Sequence, residues 1–169
     1  MVIIGKSAWV AVMLASALTG CGGGEVPQVG RAALQDDIAA RLADAGEPAR
    51  SVTCREDLVG EVGRDTRCDV VLSDTNSFQP VVTVSSVDRG SVDYELTPAL
   101  SQAQLETAVK RLAADAGERV TTVACESGLD GVVSAQAFCD VDADGARARR
   151  IVQVTDVAGL TMNFNLLTR

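Results

Sequence analysis

The chain has 169 residues, a formal charge of −8, five cysteines and no histidine; about 47% of it is apolar but only 3% is aromatic. This length holds one or two small domains and excludes a large multidomain enzyme. The missing histidine removes serine–histidine and cysteine–histidine nucleophile pairs and helical two-histidine zinc sites. The acidic balance argues against a nucleic-acid partner, because little is present to neutralise a row of phosphates.

Met1 to Gly20 carry one charge, Lys6, followed by an apolar run from Ser7 to Leu18. Twelve helical residues span about 18 Å, short of the roughly 30 Å of a hydrocarbon core. Residues 1–20 are therefore predicted to be an export signal rather than a membrane anchor. Leu18-Thr19-Gly20-Cys21 resembles the lipobox of bacterial lipoproteins. By that resemblance the Cys21 thiol takes a diacylglycerol, and cleavage between Gly20 and Cys21 makes Cys21 the new N-terminus; the alternative is an ordinary secreted cysteine. Residues 21–30, rich in glycine, are predicted to be a flexible tether reaching at most about 30 Å. Loss of residues 1–20 removes one lysine and no acid, which leaves −9 and makes the lipid the expected source of membrane affinity.

The remainder is written twice. Asp44-Ala-Gly-Glu47 recurs as Asp115-Ala-Gly-Glu118, a shift of 71 that also carries Leu34 to Leu105, Cys54 to Cys125, Leu58 to Leu129 and Cys68-Asp-Val70 to Cys139-Asp-Val141. After one deletion the shift becomes 70 and pairs Val82 with Val152, Val84 with Val154, Tyr94 with Phe164 and Leu96 with Leu166. Each unit opens with a helical stripe: Leu34, Ile38, Leu42 and Ala45 in the first, Leu105, Val109 and Ala113 widened by Leu112 in the second. Gly46 and Gly117 follow as left-handed caps, and Ser101 with Gln104 forms a capping box. The period then changes to two. Strands are expected at 51–54, 68–72, 80–87 and 91–96, with a hairpin turn at Asp88-Arg-Gly90, and again at 120–125, 138–143, 147–157 and 160–167. Val92, Tyr94 and Leu96 share one face, and Met162, Phe164 and Leu166 repeat that parity. The reading is α+β: two tandem units, residues 31–97 and 98–169, each a helix on a four-stranded antiparallel sheet.

Cys54 and Cys68 are fourteen apart, and so are Cys125 and Cys139. In an exported chain this repeated interval predicts one disulfide per unit, closing a loop for about 3 kcal/mol. A shared four-cysteine metal site lacks the close ligand pairs that such sites use. Asp140-Val-Asp142-Ala-Asp144-Gly145 imitates the opening of a calcium loop, but its twelfth position is Ile151 rather than glutamate. An Asp-Gly hairpin turn is the better reading. Arg147, Arg149 and Arg150 form the one basic cluster and a candidate interaction surface for anionic lipid or an acidic partner. The acidic residues are scattered, no phosphate loop or nucleophile elbow occurs, and neither catalysis nor a cofactor or metal is implied.

The unit resembles the actinobacterial secreted domains grouped as family 4333 of the domains of unknown function. The resemblance rests on the leading helix, Ser51-Val-Thr-Cys54, Gly63 before Cys68-Asp-Val70, Val82-Thr-Val84 and Val92-Asp-Tyr94, and on Val123-Ala-Cys125, Cys139-Asp-Val141 and Val152-Gln-Val154. Ser134 stands where the first unit has Gly63, and Arg55 where proline is expected after cysteine. This resemblance implies an envelope location and carries no catalytic residues; the lipobox-like segment adds the expectation of an anchor through Cys21 on the outer face of the cytoplasmic membrane. Two functions follow as expectations. One is a non-enzymatic lipoprotein that binds an envelope protein; the other binds a small molecule or lipid in the cleft between the units.

Overall fold

The computed structural model describes residues 26–168, so the predicted signal, Gly20, Cys21 and the start of the tether lie outside the described residues. In chain order the first unit comprises β1 (Gln28–Val29), α1 (Arg31–Asp44), β2 (Ser51–Cys54), β3 (Leu58–Val59), β4 (Asp65–Ser73), β5 (Asn76–Phe78), β6 (Val81–Asp88) and β7 (Ser91–Thr97). The second comprises β8 (Ala99–Leu100), α2 (Gln102–Asp115), β9 (Val120–Cys125), β10 (Leu129–Asp130), β11 (Gln136–Ala143), β12 (Ala146–Ala158) and β13 (Thr161–Thr168). The fold is α+β and every strand pairing is antiparallel.

The helices form where the stripes predict, and Leu34, Ile38 and Leu42 on α1 and Leu105, Val109 and Ala113 on α2 are buried. They pack with the buried sheet residues Val70, Val82 and Val84, and Val141, Val152 and Val154. Ala45 and Leu112, expected on these stripes, are exposed: Ala45 is the C-cap of α1, and Ala113 takes the buried place in the last turn of α2. Gly46 and Gly117 adopt φ +83° and +90°, and the following Glu47 and Glu118 amides reach back to Leu42 and Ala113 at 2.9 and 3.0 Å. Ser101 and Gln104 close the capping box on α2. No side chain of Gly30 can cap α1; instead Asp57 accepts from the Arg31 amide at 2.8 Å.

The second sheet has the expected four strands, in the order β13-β12-β11-β9, whereas the first has five. The strand expected over 80–87 begins at Val81, and Asn76–Phe78 forms a separate strand. The cause is local. Pro80 has no amide to donate, so pairing breaks there, and β4 divides between partners: Asp65–Arg67 pair with β6 and Val70–Ser73 with β5. A register shift between Val71 and Ser73 makes Leu72 a bulge, which is the extra residue responsible for the change in repeat shift from 71 to 70. Matching register shifts after Val84 and Val154 preserve the repeat in the long strands.

Four two-residue strands lie outside the expected set. β1 pairs with β3 and β8 with β10, and each pairing continues into a glycine whose amide bonds a proline carbonyl: Gly60 to Pro27 at 2.7 Å and Gly131 to Pro98 at 2.6 Å. A Cβ at Gly60 would stand 2.6 Å from that carbonyl oxygen, so only glycine permits the approach. Gln28 and Val29, expected in the tether, therefore belong to the folded unit.

The loop that follows is built alike in both units but with different residues. Gly63 has φ +85° and Ser134 φ +73°, and their amides bond Val84 and Val154 at 2.9 Å each. A non-glycine residue in the left-handed region costs about 1 kcal/mol. Ser134→Gly is thus expected to stabilise the protein by about 0.5–1 kcal/mol, and Gly63→Ser to destabilise it by a similar amount. Urea midpoints check this; a Ser134→Gly protein no more stable than the parent contradicts the strain at that position.

Candidate functional site between the two units

The predicted disulfides are both formed, Cys54–Cys68 and Cys125–Cys139, with Cα atoms 3.9 Å apart in each. Within each pair the cysteines are directly opposed across two antiparallel strands. Their backbone amides bond elsewhere. The Cys54 amide donates to Gln35 on α1 at 3.1 Å, and the Cys125 amide to Glu106 on α2 at 3.0 Å. Non-hydrogen-bonded positions bring opposed residues closest, which suits a cross-strand bridge. Gln35 and Glu106 are related by the 71-residue shift, a match that sequence reasoning alone passes over.

With each helix fixed over its sheet, the units meet along a cleft of about 1080 Å³. One wall is the last turn of α1 with the β4–β5 hairpin and β7; the other is the outer face of α2 with the β12–β13 turn. Contacts between units hold the walls in place. The Gln79 amide bonds Ala99 O at 2.7 Å, Gln104 Nε2 bonds Ser77 Oγ at 3.2 Å, and Arg67 pairs with Asp130 at 3.2 Å. Leu72, Phe78, Leu96, Leu160, Met162 and Phe164 give the cleft its apolar character.

Several of these wall residues differ between the two copies. Leu72 has no counterpart, and Phe78 corresponds to the smaller Ala148 by its position opposite Val70. The Ala158-Gly159-Leu160 turn lines the cleft, while its counterpart in the first unit is Asp88-Arg89-Gly90. On α2, Thr107 and Ala108 stand where α1 has Asp36 and Asp37. The turn and the α2 positions thus face the cleft without the charges that their counterparts carry.

Tyr94 anchors the first wall. Its hydroxyl donates to Asp37 at 2.8 Å, Asp37 also accepts from Arg41 at 2.8 Å, and the Arg41 guanidinium lies 5.8 Å from the ring centre. Partial burial, reinforced by the Asp37 carboxylate, disfavours the phenolate and pushes its pKa up to about 12.

The remaining predicted residues lie elsewhere. Arg147 makes two 2.8 Å hydrogen bonds to Asp142, Arg149 pairs with Glu126 over the Phe138 ring, and the mostly buried Arg150 pairs with Glu118 at 2.8 Å. Arg147 and Arg149 share a strand face; Arg150 turns to the other. The Arg147 guanidinium, aided by the Thr122 hydroxyl, holds the Asp142 carboxyl well below the usual carboxylate range. Asp144 accepts from Arg119 at 2.8 Å, and with φ +50° and +82° Asp144-Gly145 forms the expected tight turn. Among the described residues no cluster of three or more potential ligands could hold a metal ion.

Tyr94 is the chain's one tyrosine, so its titration can be read directly. Because the folded-state pKa is raised, its contribution to stability is complete below about pH 10 and is lost as pH climbs towards 12. The tyrosinate absorbance of the native protein should rise with a midpoint near 12 and that of the urea-unfolded chain near 10. Asp37→Asn should lower the native midpoint; a native midpoint near 10 contradicts the arrangement.

No curated protein and no solved structure matches the chain. Residues 11–89 and 91–159 each match the family described as Domain of unknown function (DUF4333), which together account for most of the sequence, and the chain belongs to this family as two tandem copies.

Proposed function

We propose that the chain is a non-enzymatic lipoprotein of the cell envelope that binds an elongated, largely apolar small molecule or lipid in the cleft between its two units. The export signal over residues 1–20 and the lipobox-like Leu18-Thr19-Gly20-Cys21 support the location. In this reading Cys21 carries the lipid, Gly22 onward tethers the folded units, and the protein stands on the outer face of the cytoplasmic membrane. One observation carries the binding half: the cleft of about 1080 Å³ gathers apolar side chains from both units, Leu72, Phe78 and Leu96 from the first and Leu160, Met162 and Phe164 from the second. Small-molecule sites commonly occupy about 300–1,000 Å³ at domain junctions and combine apolar walls with a few polar groups. Tyr94, Arg41 and Gln104 supply such groups here.

A protein partner is the second reading. The cleft is partly open to solvent, so an extended apolar segment of another envelope protein could lie in it. The two readings separate by what the native material contains: an extractable lipid or metabolite in the first, a stoichiometric co-purifying chain in the second.

Two tests apply. Cys21→Ala should move the protein from the membrane to the soluble fraction and abolish labelling by radioactive palmitate; persistent label contradicts the anchor. For the cleft, a fluorescent fatty acid is expected to bind the purified protein and to be displaced by unlabelled fatty acid. Ala103→Trp, which fills the cleft from the exposed face of α2, and Leu160→Asp, which charges its turn, should each weaken that binding at least about tenfold, equivalent to about 1.4 kcal/mol. Unchanged binding in both variants excludes the cleft as the site.

A further inference from the structure

The short β1–β3 pairing fixes the place where the tether leaves the folded unit. Pro27 O accepts from Gly60 at 2.7 Å, so the chain departs towards Cys21 beside the loop that follows Gly60. That loop is held tightly. The Glu61 amide bonds Val59 O at 2.8 Å, the Arg64 amide bonds Glu61 O at 2.9 Å, and the Gly63 amide bonds Val84 O at 2.9 Å. At its tip Val62 is 70% exposed, and Val26, just before Pro27, is 52% exposed. An aliphatic side chain presented this openly from a fixed loop has no partner within the described residues.

Chain length says what can cover it. Six residue steps separate Cys21 from Pro27, a reach of at most about 20 Å. A lipid on Cys21 therefore keeps this loop close to the bilayer whatever path the tether takes. Two of the nearby carboxylates are paired, Glu61 with Arg64 at 3.6 Å and Asp57 with Arg31 at 3.5 Å, while Glu25, Glu56 and Asp65 would have to stay in the aqueous headgroup layer. We propose that the Val62 loop is a membrane-surface contact, seated with Val26 in the interfacial layer of the bilayer that the Cys21 lipid enters. The contact gives the anchored protein a preferred orientation, with the β1–β3 end of the first unit towards the lipid. This inference rests on the lipoprotein reading above.

The duplication supplies the control. The equivalent loop of the second unit exposes Val132 and Val133, at 59% and 57%, but its paired strand β8 follows β7 and not the tether. The chain's one tryptophan, Trp9, lies within residues 1–20 and is absent from the processed form, so Val62→Trp and Val133→Trp each carry a single tryptophan, excited selectively at about 295 nm. The two full-length variants are prepared from membranes, their lipid is verified by intact mass, and each is placed in phosphatidylethanolamine–phosphatidylglycerol vesicles with and without brominated acyl chains. Emission from the Val62→Trp protein should be quenched at least about twofold by the brominated chains and shift to the blue, while the indole of the Val133→Trp protein stays open to aqueous acrylamide. If the lipidated Val62→Trp protein is quenched no more than the Val133→Trp protein, this contact alone is overturned. An unlipidated mass overturns the anchor and the contact together.

Discussion

The structure depends on one arrangement made twice: a disulfide between opposed cysteines that clasps an edge strand beneath a helix. β2 has only four residues, and outside the disulfide it is held by its ladder to β4 and by its packing against α1. The Cys54–Cys68 bridge fixes that edge, and Gln35 on α1 accepts the cysteine amide that the edge leaves unpaired. Cys125, Cys139 and Glu106 repeat the device in the second unit. A unit of about seventy residues buries too little apolar surface to spare such a clasp, since closing a loop of this size is worth about 3 kcal/mol. Where the helices sit then decides the cleft, because α1 and α2 provide part of each wall.

Duplication separates what folds the chain from what distinguishes it. The buried valines of the sheets, the cap glycines, the short strand pairs and the clasp recur at shifts of 71 and 70. Some of the differences between the copies line the cleft: the Leu72 bulge, Phe78 in place of the smaller Ala148, and an apolar turn at Leu160. A bulge interrupts the regular ladder, and this one sits in the part of β4 that pairs with β5, beyond the break that Pro80 imposes. The asymmetry is therefore structural as well as chemical.

Much of this is legible in the sequence for a physical reason. Helical stripes, period-two strands and a repeated cysteine interval are local patterns, and the duplication lets each be read twice. Matching parity puts Val92, Tyr94, Leu96 and Met162, Phe164, Leu166 on one face of their strands, and all six are half-buried. The misses arise where structure is not periodic. Two-residue strands are too short to show alternation, although the Pro27–Gly60 and Pro98–Gly131 matches at the same shift mark them. The deletion is visible in the sequence, but the bulge at Leu72 is not, because its position follows from pairing. Pro80 reads as the start of a strand and instead divides one. The cleft is a tertiary juxtaposition, and nothing local announces that Tyr94 meets Asp37, 57 residues away in the chain. The arginines at 147, 149 and 150 read as a basic cluster until the fold brings up Asp142, Glu126 and Glu118 from other parts of the unit.

The central claim is that each unit is independently clasped, and peptide mapping of the natively produced protein under non-reducing conditions tests it most directly. The account predicts two linked peptide pairs, 54–68 and 125–139, with cooperative melting lost on reduction. Links that cross between units, or a melting transition unchanged by reductant, would contradict it.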